Sequence, residues 1–317
     1  MRPSWVSCSA ATLAMVWVID ASPKIASSGM GVPLGAAGRA ARGVQKAEQT
    51  PVKTGSQGRL PIQIEYVHHS LQAPSPMNQE LAKELAPTGT LRAGINLSNY
   101  LLVTGKSPSG EPEGVAPDMA RAIAERLGVK LKLVPFKTPG ELADAAGNNV
   151  WDIGLIGAEP ARAEKITFSA AYVEIAATYL VPAGSALQTV GEVDRPGVRI
   201  AVMARSAYDL WLTRNIKHAQ LVHANGGDAA FDLFVNEKLE ALASLRPGLL
   251  TAVERLPGAR ILDGQFTAVQ QAVGTGRANA AGAAFLQRFV EEAKASGFVA
   301  GLIARHHVQG LSVAPPC

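Results

Sequence analysis

From residue 90 onward, short apolar runs alternate with amphipathic stretches and turn-forming residues. Residues 91–95 make an apolar run ending in the polar string Asn96-Leu97-Ser98-Asn99-Tyr100, the mark of a buried strand feeding a loop. Gly114, Pro117 and Asp118 then open a helix to Leu127, with Met119, Ile123 and Leu127 recurring on one face and Gly128 as its stop. The alternation continues with a strand at 130–135, a helix at 139–146, and a strand at 151–156 running into Gly157-Ala158-Glu159-Pro160. Each unit has βαβ length, so a mostly parallel sheet is expected.

A second set follows the turn-rich segment 181–184, which reads as a crossover. Strands are expected at 198–203, 220–222 and 239–244, with helices at 206–215, 227–235 and 247–255 behind them. Residues 266–273 then supply a second crossover, and a closing amphipathic helix spans 282–296, with Phe285, Phe289 and Ala293 on one side. Two crossings between two α/β lobes imply a hinge and a cleft. The expected division is a first lobe at 88–181, a second lobe at 182–270, a return at 271–305 and a tail at 306–317.

Ahead of this body, residues 6–19 form an apolar stretch behind Arg2 that ends in Asp20-Ala21-Ser22, the pattern of an export signal over 1–22 cleaved after Ala21. Residues 23–87 are rich in Gly, Ala, Ser and Pro without periodicity, and a disordered extension is expected there. A signal places the protein in the periplasm; translation from Met77 would place it in the cytoplasm. No lipobox precedes a cysteine, which argues against a lipid anchor.

Charge removes one class of partner. The chain has 30 Lys and Arg against 26 Asp and Glu, but the first 76 residues hold 7 and 3 of these, leaving 23 of each. The folded part is neutral, so the pI near 9.1 belongs to the extension and no nucleic-acid partner is expected. Beyond the N-terminus no apolar run is long enough to span a membrane. Cys8 and Cys317 suit neither a metal quartet nor an internal staple, and the six histidines lack metal-ligand spacing, so no metal or cofactor is expected.

The stretches Gly89-Thr90-Leu91-Arg92-Ala93-Gly94, Gly114-Val115-Ala116-Pro117-Asp118-Met119-Ala120, Pro160-Ala161-Arg162 and Phe168-Ser169-Ala170-Ala171-Tyr172 resemble, in order and spacing, the type II periplasmic binding proteins, specifically the family 3 extracellular solute-binding proteins of ABC uptake systems. The resemblance covers about residues 90–305 and departs from the family signature at Val115 and Ala116. It implies a monomeric receptor that hands a small solute to an ABC transporter permease. It also implies that Arg162 grips a ligand carboxylate from one lobe while backbone amides at Ser206, a helix start in the other lobe, approach from the opposite side. The pairing suits an anion, because a guanidinium forks onto both carboxylate oxygens and a helix start offers free N–H donors. For Ser206 a plain N-cap role is compatible with this.

By the same resemblance, Asn99 and Tyr100 lie where an aromatic platform is placed, and Gly157 and Ala158 lie at the end of the strand before Arg162. Gly157 stands where amino-acid binders carry threonine, Arg205 where the family often has glycine, and Leu245-Arg246 where amino-acid binders place an aspartate for the ligand ammonium. With Arg162, Arg205 and Arg246 all expected near the cleft, the favoured ligand is a small carboxylate or other polar solute, and a zwitterionic amino acid is disfavoured. Two other classes compete. A cyclohexadienyl dehydratase-like enzyme would need a cleft acid or base, for which Glu159 and Glu174 are the nominees, although no catalytic pair is evident. A cytoplasmic ligand sensor would need a recognition-helix module that 23–76 does not suggest.

Overall fold

The computed structural model describes residues 76–317; the expected signal at 1–22, Cys8 and most of the expected extension lie outside them. The first lobe begins with α1 (Pro76–Leu85), β1 (Thr90–Asn96), β2 (Gly105–Lys106), β3 (Pro112–Glu113), α2 (Val115–Leu127), β4 (Lys130–Phe136), α3 (Pro139–Asp144) and β5 (Ile153–Gly157). The long strand β6 (Ile166–Val181) leads into β7 (Arg199–Met203), α4 (Ala207–Asn215), β8 (Gln220–Ala224), α5 (Gly227–Asn236), β9 (Ala241–Leu245), α6 (Arg246–Glu254) and β10 (Arg260–Ile261). Strand β11 (Thr267–Gly276) returns, followed by α7 (Ala280–Ala295), α8 (Phe298–Arg305) and β12 (Ser312–Val313).

Local chemistry accounts for the helix boundaries. Thr138 caps α3 by accepting the Glu141 N–H, with Pro139 in the first turn, where its missing N–H costs nothing. Helix α2 starts after Gly114, whose φ of 144 and close approach to the Leu102 carbonyl leave no room for a Cβ, and it ends at Gly128 in the left-handed conformation.

The strands form one continuous path in the order β4-β1-β5-β11-β6-β9-β7-β8. Within it β4, β1 and β5 are parallel, as are β9, β7 and β8, whereas β11 and β6 run antiparallel to their neighbours. The path therefore consists of two parallel triplets welded through two long antiparallel strands. Apolar clusters cover both faces of each triplet. One is built on Ile95, Met119, Ile123 and Phe289 and another on Leu142, Trp151 and Ile156, while the second lobe has clusters around Val202 and Leu212 and around Phe234 and Leu242. This is the two-lobed α/β architecture expected from the sequence.

Four differences concern the edges of the lobes. The first crossing lies inside β6 and not at 181–184: Val173 belongs to the first-lobe core, while Ala177 and Val181 belong to the second. The return is split likewise, with Val269 in the second-lobe core and Val273 in the first. The stretch to 87, expected to be disordered, ends in α1, whose Leu81 and Leu85 are buried against the first lobe. The tail is also structured, because β12 pairs with β6 at Val173 and Glu174 beside the crossing.

Candidate functional site

A cavity of about 540 Å³ opens where the two lobes meet at the crossing strands. The first lobe contributes the loop after β1, with Ser98, Asn99 and Tyr100, and the end of β5 at Gly157. The second contributes the start of α4 at Ser206, Ala207 and Tyr208, the end of β9 at Ser244 and Leu245, and the facing sides of α5 and α6 at Phe231 and Leu249. Val269 and Gln271 of β11 form the floor. This is the carboxyl end of parallel strands, where open α/β sheets hold ligands.

Ser206 is the N-cap of α4: its hydroxyl accepts the Asp209 N–H at 3.0 Å. The Asp209 carboxylate accepts the Arg205 N–H at 2.6 Å and contacts His223 at 2.9 Å, which fixes the turn before the helix. Beside it Tyr208 is buried; burial pushes its pKa up, against the pull of the Ser244 and Ser206 hydroxyls, so it remains a neutral phenol. Tyr100 reaches across from the first lobe until its hydroxyl lies 3.0 Å from where a Cβ on Gly248 would stand. Its ring is half exposed at the cavity mouth.

Arg162 sits at the junction itself. It is 6% exposed and donates from Nη1 to the Gly157 carbonyl at 2.6 Å and from Nη2 to the Arg205 carbonyl of the other lobe at 2.9 Å. Burial lowers its pKa to about 10, with the Arg205 charge adding to the effect and Glu159 opposing it. The guanidinium stays protonated, one layer behind the wall that Gly157 supplies. Gly157 has no side chain because Ala207 packs on it: a Cβ there would stand 2.9 Å from the Ala207 methyl. The threonine expected of amino-acid binders would not fit in this arrangement.

Two ion pairs join the lobes on the far side of Arg162. Arg205 forks onto Asp144 at 2.8 and 2.6 Å and donates to the Gly140 carbonyl, and Arg214 meets Glu159 at 2.5 Å. A smaller pocket of about 180 Å³ lies there, lined by Arg162, Lys165, Arg205 and Asp144.

Of the residues singled out from sequence, Asn99, Tyr100, Gly157 and Ser206 line the large cavity. Ala158 does not; its N–H is used by the Gln270 carbonyl. Arg205 turns back to Asp144, and Arg246 points away, donating to the Leu262 and Gly264 carbonyls. Arg162 stands behind the wall and lines only the smaller pocket, so the expectation that three arginines face the cleft together is corrected for all three: Arg205 finds a carboxylate, and Arg162 and Arg246 find backbone carbonyls. Sequence reasoning missed Tyr208, Ser244, Phe231, Leu249 and Gln271. Gln271 alone left a signal, as a polar residue inside the apolar run of β11.

Two lobes joined by two long strands, with a cavity between them, define the architecture of a two-lobed periplasmic binding protein. A model of bacterial extracellular solute-binding proteins, family 3, matches residues 91–309, and the chain belongs to that family. Similar solved structures include a mutant of ArgBP from T. maritima (20% identity, TM-score 0.59, covering 72% of this chain and 100% of that one). They also include the amino acid ABC transporter substrate-binding protein AbpA from Streptococcus pneumoniae bound to L-arginine (18%, 0.58, 71% and 98%). A third is the ancestral amino acid-binding protein AncCDT-1, described as a precursor of cyclohexadienyl dehydratase (22%, 0.57, 72% and 98%). At these identities the likeness is one of fold. Among curated proteins, the cyclohexadienyl dehydratase of Pseudomonas aeruginosa is 28% identical over 166 residues, a match spanning 49% of this chain and 61% of that enzyme's length.

Proposed function

We propose that this chain is a monomeric periplasmic receptor that closes on one small carboxylate-bearing solute and presents it to the permease of an ABC importer. The observation that carries the ligand charge is Arg162: a guanidinium buried at the lobe junction whose two hydrogen bonds both go to neutral carbonyls. Buried cations are ordinarily matched by a bonded anion. Opening the lobes breaks the bond from Arg162 to the Arg205 carbonyl and frees that donor beside the first turn of α4. A ligand carboxylate in that gap would take the freed guanidinium donor and the helix-start amides on reclosure. Family membership and the fold neighbours named as ABC transporter binding proteins support the uptake role.

The dehydratase relative favours an enzymatic reading, but the acids nominated for it stand apart from the cavity. Glu159 is held by Arg214 and Glu174 by the Gln270 amide. Among the described residues the only acid lining the cavity is Asp228, whose side chain is 98% exposed.

A thermal-shift panel of organic acids, amino acids, amines and sugars tests the proposal. A solute at about 100 times its Kd should stabilise the protein by about 2.7 kcal/mol, and X-ray scattering should show compaction. Arg162→Lys should weaken the bound acid by about tenfold or more, since the fork becomes a point charge. Unchanged affinity would sink the carboxylate reading, and dehydration of a cyclohexadienyl acid by the purified protein would promote the enzyme.

A further inference from the structure

The segment that follows α8 is bound to the first lobe at both of its ends. At its start His306 contacts the Asp118 carboxylate, in the first turn of α2, at 2.9 Å. Its other ring nitrogen lies 3.5 Å from the hydroxyl of Thr104, in the loop that also carries Asn99 and Tyr100. At the far end β12 pairs with β6 at Val173 and Glu174, and the Ala314 N–H donates to the Tyr172 carbonyl at 3.2 Å. The buried Lys294 ammonium of α7 donates to the Pro315 carbonyl at 2.8 Å. Val308, Leu311 and Val313 pack on the first-lobe core, which includes Tyr172 and Val173, so these anchors all hold the tail to the first lobe.

Between the anchors the tail reaches the other lobe. Gly310 turns with a φ of 82 and packs on the ring of Pro247 in the first turn of α6, where a Cβ on Gly310 would stand 2.3 Å from the ring Cγ. Left-handed backbone and lack of room together require glycine there. Helix α6 belongs to the second lobe, with Leu249 and Ala252 in its core. The residue after Pro247 is Gly248, which lines the large cavity and is the one that the Tyr100 hydroxyl approaches. The first lobe thus meets two successive residues of the α6 start, one from the cavity through Tyr100 and one from the tail through Gly310. Arg246 ties the same turn to the Leu262 and Gly264 carbonyls, ahead of the returning strand β11.

We propose that the C-terminal tail is a strut between the lobes, which seats the first turn of α6 against the first lobe and so sets the angle at which the cleft closes. Bending between Val173 and Ala177 of β6, and between Val269 and Val273 of β11, carries Pro247 with the second lobe while Gly310 stays with the first. The contact is apolar and non-covalent, so it parts and re-forms with each opening. Pro247 and Gly310 are positioning residues; neither lines the cavity. The strut goes beyond the receptor reading and is independent of which solute is taken up.

A cycle of Gly310→Ala, Pro247→Ala and the double variant, made in the full-length protein without added solute, tests the strut. Gly310→Ala drives a methyl against the proline ring, and Pro247→Ala leaves a gap. Each single variant should raise the radius of gyration in X-ray scattering and speed amide hydrogen exchange at Leu249 and Leu250 by about tenfold, within the usual penalty for a misfitted packing contact. In the double variant the ring atom at 2.3 Å is gone and the remaining Cβ lies 3.2 Å away, so contact is restored and both readouts should return towards those of the unaltered protein. Its Tm should stay as low as that of Gly310→Ala, because both carry a side chain at a left-handed position; this separates positioning from stability. Unchanged dimensions and exchange in Pro247→Ala overturn the proposal even where Gly310→Ala does not fold, and so does a double variant as expanded as the single ones. Because no solute is present, either result leaves the receptor reading to the thermal-shift panel.

Discussion

Arg205 has a φ of 62, in the left-handed region where a residue with a Cβ pays roughly 1–2 kcal/mol. Its ion pair with Asp144 is more than half exposed on both sides, and such pairs contribute about 0.2–1 kcal/mol. The conformational cost is at least as large as the gain from the pair, so an arginine at this turn adds no net stability. What it adds is a bridge between lobes, reinforced by its carbonyl accepting from Arg162. Arg205→Gly should therefore leave Tm within a few degrees while raising the radius of gyration in X-ray scattering, because the left-handed turn is retained and the bridge is lost. A large drop in Tm with unchanged dimensions would refute this. The family's usual glycine made the position conspicuous in the sequence, but the direction of its side chain was not legible there, because Asp144 is distant in the chain.

Helix α1 shows why an extension was expected and why a helix forms. Ten residues with a modest apolar stripe are too few for a stable isolated helix. Leu85 is fully buried, and burying one leucine is worth about 1.5–3 kcal/mol. The seat for it is Gly282 of α7, where a Cβ would lie 2.5 Å from a Leu85 methyl. Gly282→Val should cost about 1–3 kcal/mol by overpacking, seen as a lower Tm and as faster proteolysis within 76–86. Unaltered protease resistance there would argue against this docking. Strand β6 was missed for a related reason. It is largely buried along its length between β11 and β9, so its residues show no simple alternation between faces to mark a strand.

Closure of the whole molecule depends on carboxylates with opposite behaviour. The hydrogen bonds from Arg205 hold Asp144 below the ordinary aspartate range, so its bridge is present above that range and is lost as pH falls through the lowered value. Glu159 is pushed up by burial, against the pull of Arg214, so its contribution runs the other way: largest below the ordinary glutamate range and declining as pH rises through the raised value. On acidification Glu159 takes a proton first, which relieves its buried charge and leaves the lobes closed, and Asp144 follows and releases Arg205. X-ray scattering across that range should show a single expansion, at the Asp144 step, ahead of global unfolding. Added salt at neutral pH should reproduce part of it, since partly exposed pairs are screened and each shifts the closed-to-open ratio by about fivefold at most. Expansion absent from both titrations would remove these ion pairs from the closure mechanism.

The alternation of strand and helix signals, the neutral body behind a basic N-terminal stretch, and the two returns across the chain were readable from order and periodicity, because those properties are local along the backbone. So was the polar loop carrying Asn99 and Tyr100, since it directly follows an apolar strand. The destinations of Arg162, Arg205 and Arg246 were not, nor was the apolar wall that α5 and α6 turn toward the cleft. Those features arise where segments far apart in sequence meet. There a side chain is claimed by the nearest satisfiable partner in space, and a linear pattern carries no record of which partner that is.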